Sequence, residues 1–183
     1  MKKRIAIIAA VVVVAGLAAV GAVAWFTRGM PYNERDTAFA ANMVPHHEGA
    51  VEMADVLLEK DGVPADVRAL AQRIKDAQQP EINQMSGWLD MWGVDGMAGH
   101  GGHTMMINGM MSDEDMAALE SADGAEAARL FLEGMITHHK GAIDMAQVEV
   151  TGGVYPDAVA LAKKIVADQT AEIAEMERLL ADL

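Results

Sequence analysis

The chain has no cysteine among its 183 residues. Disulfide bonds and thiolate metal sites are therefore excluded. Methionine, by contrast, occurs 15 times, and its thioether is the remaining soft metal ligand. Stability must come from the apolar core, and any soft-metal chemistry must come from methionine.

Basic residues are also scarce, with 14 Lys and Arg against 27 Asp and Glu and a net charge of −13. Three of the basic residues, Lys2 to Arg4, precede a long apolar run, so the remainder of the chain carries −16. Such an acidic surface repels nucleic acid, and no basic stripe is present. Neither a nucleophile–base pair nor a glycine-rich phosphate loop is recognisable. Nucleic-acid binding and hydrolysis are therefore not expected.

Charged residues are absent from Ile5 to Phe26, directly after the basic start. An apolar helix of about 20 residues spans a bilayer core of ~30 Å, and the positive-inside rule places its basic end in the cytoplasm. Ala22–Ala24 is a candidate cleavage site. We expect residues 1–28 to be either a signal peptide or a signal-anchor helix that attaches the chain to the membrane if it is uncleaved. In both cases the rest of the chain is exported, as a membrane-anchored or a secreted, periplasmic protein.

From residue 33 onward, apolar residues recur at three- and four-residue spacing, which predicts an all-α fold. N-cap signals, internal prolines and terminal glycines indicate where the helices begin and end. The predicted helices run from Asn33 to Lys60, Pro64 to Trp92, Ser112 to Leu119, Asp123 to Thr151, and Pro156 nearly to the C-terminus.

The two halves of the chain repeat each other. The stretch "NMVPHHEGAVEMA" begins at Asn42 and "GMITHHKGAIDMA" begins at Gly134. The second helices match as well, through "QQPEINQM" and "QTAEIAEM". A hairpin cannot bury its apolar stripe alone, so hairpin one (33–92) and hairpin two (123–183) are predicted to pack as a four-helix bundle, joined by a Met/His/Gly-rich linker (93–122).

The doubled cassette, with its Q-x-x-E-I-x-x-M second helix, resembles the domain of unknown function 305 family over about residues 33–183. The resemblance implies a ferritin-like fold and export from the cytoplasm. It also implies a link to copper, which some members of that family handle.

The cassette places its histidines and methionines on one helix face. At 100° per residue, Met43, His46 and His47 share a face, whereas Glu48 and Glu52 point away from it. Pseudo-symmetry brings Met135, His138 and His139 toward the first set across the core. Imidazole and thioether together suit Cu(I) or Ag(I), and imidazole alone also suits Cu(II). The sequence thus predicts a copper site.

Further ligands are expected around the histidines. Glu81 and Glu172 are candidates to accept a proton from the non-ligating ring nitrogens. Four methionines on the helices are additional candidates: Met53, Met85, Met145 and Met176. The competing interpretation is that these four only fill the core, as methionine at helical spacing usually does.

The linker contains further soft ligands, with Met97, Met105, Met106, Met110 and Met111 beside His100 and His103. Its six glycines between positions 93 and 109 argue against a packed helix. One interpretation is a flexible arm that captures Cu(I) or Ag(I). The other is a lid that buries its methionines on the end of the bundle.

The favoured function is an extracytoplasmic copper-binding protein that buffers, stores or transfers the metal. A ferritin-like metal-dependent redox enzyme is the alternative, although no His stands three residues after a Glu as that chemistry usually requires. A cell-surface interaction module without a metal is the third. Besides the metal ion, a second copy of the chain in a homo-oligomer and a copper-trafficking protein remain open as partners.

Overall fold

The computed structural model describes residues 31–94 and 109–183, and all regular structure in these two ranges is α-helical. The apolar run 5–26 and most of the linker lie outside the described residues. The helix bounds agree closely with those predicted. The helices are α1 (Glu34–Leu58), α2 (Ala65–Trp92), α3 (Asp113–Ser121), α4 (Gly124–Gly152) and α5 (Pro156–Asp182).

The described residues from Tyr32 onward belong to one compact unit. The helices α1 and α2 pack as one hairpin and α4 and α5 as the other, and the hairpins meet mainly through α1 and α4. The short helix α3 packs on α4 and α1. Within the described ranges, no helix has the length and apolar character needed to cross a bilayer. The described residues form an all-helical bundle, as predicted.

Two apolar clusters form the core. The first cluster joins the second half of α1 to the first half of α4, and includes Met53, Leu57, Phe131 and Met135. The second cluster joins the start of α1 to the later part of α4, and includes Phe39, Met43, Ala142 and Ala146. Because the early part of one helix meets the later part of the other, α1 and α4 run antiparallel, which is the arrangement that a two-fold relation between the hairpins predicts.

The start of α1 is tied to the turn between α4 and α5. Asn33 and Asp36 form a capping box, in which the Asp36 carboxylate accepts the Asn33 backbone N–H at 2.6 Å. The same carboxylate accepts backbone N–H groups of Val154 at 3.0 Å and Tyr155 at 2.9 Å. Burial raises the pKa of Asp36, but these hydrogen bonds outweigh burial and hold the pKa below its usual value. This junction connects the two hairpins at one end of the bundle.

A second buried carboxyl group stands beside that junction. Glu149 is fully buried, and it occupies the position where hairpin one has the apolar Leu57. Burial, together with the neighbouring Asp36 carboxylate, raises the pKa of Glu149 to about 8, although Arg35 acts in the opposite direction. Glu149 is therefore mostly protonated at neutral pH.

Glu149 makes stability depend on pH. Its folded pKa of about 8 exceeds the unfolded value of 4.5, so between these values the folded state retains a proton that the unfolded state has lost. This contribution is fully present below pH 4.5 and is lost as pH rises through 8, by up to about 1.4 kcal/mol per pH unit. His138, whose pKa is lowered, has the opposite effect only below pH 6.5.

We therefore expect the free energy of unfolding to fall from pH 7 to pH 8.5, and to fall less in Glu149→Gln, which mimics the neutral carboxyl group. Urea unfolding at several pH values measures both. Equal pH slopes for the two proteins would contradict a protonated Glu149.

Candidate metal centre

A layer of eight polar side chains separates the two apolar clusters, and each of the four long helices contributes two of them. On each helix, residues of one cluster precede the pair and residues of the other cluster follow it. All eight are buried except Glu172, which is half-buried. We call them the polar layer: His46 and His47 of α1, Gln78 and Glu81 of α2, His138 and His139 of α4, and Gln169 and Glu172 of α5.

One histidine of each pair is bound to a carboxylate of its own hairpin. His47 Nε2 lies 2.9 Å from Glu81 Oε2, and His139 Nε2 lies 2.7 Å from Glu172 Oε2. Burial raises the pKa of Glu81, but hydrogen bonds from His47 and Lys164 outweigh burial and leave the pKa below its usual value. An ionised carboxylate can only accept a hydrogen bond, so in the neutral ring the Nε2 atom donates and the lone pair is on Nδ1.

The other two histidines meet each other at the centre of the bundle. The ring centroids of His46 and His138 are 3.7 Å apart, and the ring planes are tilted by 38°. His138 Nε2 donates to the backbone carbonyl oxygen of His46 at 2.8 Å. Burial lowers the pKa of His138 well below its usual value, and the adjacent His46 lowers it further. His138 is therefore neutral at physiological pH, with its lone pair on Nδ1.

The polar layer also holds most of the unsatisfied polar atoms of the core. Among the described residues, the buried Nδ1 atoms of His47, His138 and His139 lack a hydrogen-bond partner, and so do both polar atoms of Gln78 and the Oε1 of Gln169. Elsewhere in the described ranges, only Trp92 Nε1 and the Glu149 carboxyl oxygens behave in the same way. Buried polar atoms are normally satisfied, and unprotonated imidazole nitrogens are good metal ligands.

Thioethers border the polar layer. Met43 and Met135 each lie one turn before a histidine pair, and Met85 and Met176 lie one turn after Glu81 and Glu172. All four are fully buried, and Met53 is buried in the first cluster. In the residues that the structure describes, no three His, Asp or Glu side chains are arranged to hold a metal. Methionine sulfur is the further soft donor present beside the layer.

The predicted residues differ in how close they come to the layer. Six of them, Met43, His46, His47 and their counterparts Met135, His138 and His139, are all buried at or beside it. Met145 differs from its counterpart Met53 because it is only partly buried, against the second cluster. His100 and His103 lie outside the described residues.

The sequence did not reveal one member of the site. Lys164 of α5 reaches across to Glu81 of α2, with Nζ 3.0 Å from Oε1. Its counterpart in hairpin one, Arg73, pairs with Glu175 instead. Because the contact breaks the repeat, the internal symmetry gave no signal for it.

The hydrogen bonds fix the tautomer of three rings, and we expect His47, His138 and His139 of the metal-free protein to carry the proton on Nε2 only. Long-range ¹H–¹⁵N NMR spectra at pH 7.5 distinguish the two ring nitrogens. Protonated Nδ1 atoms on these rings would show that the lone pairs are not available for a metal. Lys164→Met, which removes a donor to Glu81 but no ring contact, should leave the tautomers unchanged.

The chain is similar to a known protein family and to solved structures of that family. The model of the domain of unknown function DUF305 matches residues 36–180. A DUF305 protein from Streptomyces coelicolor superposes with a TM-score of 0.74 and 34% identity over 81% of this chain and 91% of that one. A DUF305 fragment from Deinococcus radiodurans gives 0.76 and 31%, over 84% of this chain and all of the fragment. No curated protein matches.

The copper protein CopM is a third structural relative. Its Cu(I)-bound form superposes with a TM-score of 0.66 and 28% identity, over 80% of this chain and 96% of CopM. CopM has also been solved with Cu(II) and with Ag. The fold of this chain is thus similar to that of a protein solved with these ions.

Proposed function

Because the chain belongs to the DUF305 family, we propose that it is an extracytoplasmic copper-binding protein that holds Cu(I), or Ag(I) in its place, in the polar layer. The main observation in support is that the buried Nδ1 atoms of His47, His138 and His139 lack a hydrogen-bond partner in one layer of the bundle, and that buried thioethers lie one helical turn from this layer. Binding of Cu(I), Cu(II) and Ag by the relative CopM is further support.

The proposed ligands are drawn from Met43, His46, His47, Met135, His138 and His139. Glu81 and Glu172 accept hydrogen bonds from the Nε2 atoms of His47 and His139. These hydrogen bonds orient the two rings and make their Nδ1 atoms stronger electron-pair donors to a metal. Met53 and Met145 lie two turns beyond the histidine pairs of α1 and α4, and they pack with Met85 of α2 and Met176 of α5 in the apolar clusters.

The charges of the layer favour a monovalent ion. Imidazole and thioether are neutral ligands, and the charge of Glu81 is already paired with Lys164 at 3.0 Å. A buried ion with few compensating charges is costly, and the cost rises with its charge. The proposal is therefore Cu(I) in preference to Cu(II), used for buffering, storage or transfer.

We further propose a type of bundle and a role for the N-terminal residues. The bundle is of the ferritin-like four-helix type, and residues 1–28 direct its export as a cleaved signal or a retained anchor. An oxidase is less well supported, because the two carboxylates of the layer already bind histidines and a di-metal site needs several free carboxylates.

We expect the apo protein to bind Cu(I) stoichiometrically in competition with a chromophoric Cu(I) chelator, and His46→Ala/His138→Ala to abolish that binding. The double variant removes two rings from the centre of the layer, and its fold is checked by circular dichroism. Unchanged affinity in a folded double variant would remove the proposal.

The thioethers are tested separately. Met43→Leu/Met135→Leu conserves the volume of the core and should be tolerated, but we expect at least about a tenfold loss of Cu(I) affinity, equivalent to about 1.4 kcal/mol. The matched control is Met91→Leu/Met116→Leu, which changes methionines outside the layer. If both double variants bind as wild type does, the methionines are core residues and not ligands.

A further inference from the structure

In the part of the chain that the structure describes, the proposed ligands are closed off from solvent. The four histidines, together with Met43 and Met135, are fully buried. A hydrated ion outside the bundle therefore reaches them only if a covering side chain moves or passes the ion inward. The covering side chain must lie next to the layer and also face solvent.

The linker returns to the bundle at such a place. Gly109 has a φ of +90°, and a Cβ atom there would lie 2.7 Å from the carbonyl oxygen of Thr137 and 3.2 Å from the Cα of His138. Both the backbone conformation and the close approach require glycine. This contact fixes residues 109–111 on α4 beside the histidine pair.

Met110 extends from that point toward the layer. A Cβ placed on Gly49 of α1 would lie 2.9 Å from Met110 Cε, 3.4 Å from its Sδ and 3.7 Å from His138 Nε2. The thioether and the imidazole therefore converge on the same point of α1. Met110 is 41% exposed, so one flexible side chain extends from solvent to the point of α1 that the His138 ring also approaches.

A small cavity adjoins Met110 on the outside. Its volume is about 230 Å³, and its lining includes Met110, Met111, Asp115 and Glu133. Glu133 is paired with Arg129 at 2.6 Å, so Asp115 supplies the main attraction for a cation, and the two thioethers select a soft one. Met111 continues inward, because its methyl group fills the space beside Gly134 next to Met53.

From this geometry we infer that Met110 is the surface ligand that receives Cu(I) or Ag(I) in this cavity and passes it over Gly49 to the histidines. The inference rests on the proposed function and adds to it the route of loading. Met110 acts transiently, so it changes the rates of uptake and release and leaves the final affinity unaltered.

The test is stopped-flow transfer of Cu(I) from a chromophoric chelator to the full chain. We expect Met110→Leu, which conserves volume, to slow uptake and release alike by at least about tenfold, with the equilibrium affinity of wild type. Met91→Leu is the matched control, because Met91 is 61% exposed. We expect this variant to take up Cu(I) at the wild-type rate.

Two further variants separate a ligand from a simple cover. Met110→Ala removes the cover and the sulfur together, so it slows loading if the sulfur is a ligand and accelerates loading if the side chain only blocks the route. Gly49→Ala displaces the end of Met110 and should also slow loading. Wild-type rates in Met110→Leu, or faster loading in Met110→Ala, would overturn the inference. Absence of Cu(I) binding by wild type would instead defeat the proposed function.

Discussion

The hydrogen bond at Nε2 of the buried histidines is the interaction on which this account depends. Glu81, Glu172 and the His46 carbonyl oxygen each accept from one ring. An imidazole whose Nε2 is bound in this way presents its Nδ1 lone pair, and a packed core prevents the ring from turning over. Two apolar clusters above and below exclude water from the layer. The fold therefore maintains soft, neutral donors in a dry environment at the expense of stability.

The internal repeat supplies the symmetry of the layer, and residues that differ between its two halves make them unequal. Lys164 binds Glu81, whereas Glu172 is more exposed, with 22% of its side chain accessible against 10% for Glu81. The linker lies on α4 and places Met110 over Gly49. A metal would therefore meet two non-equivalent half-sites, one of which adjoins the surface.

The helices and the inward face of the cassette were predictable because both follow from periodicity. The repeat aligns His46 with His138 and Glu81 with Glu172. Two-fold packing of the hairpins was therefore the only assumption needed to predict that these residues approach one another. Contacts that break the repeat were not predictable. Lys164 and Glu149 belong to this group, since each acts at a position where the other hairpin has a residue with a different role. The position of the Met110 side chain depends on the path of the linker, which periodicity does not determine.

The position of a bound ion tests the central claim most directly. Crystals of the protein loaded with one equivalent of Ag(I) should give an anomalous difference peak inside the bundle, within bonding distance of an Nδ1 atom of the polar layer and of a methionine sulfur. If the only peaks lie on linker residues and the core around His138 holds no ion, then the layer is a structural feature and the account is wrong.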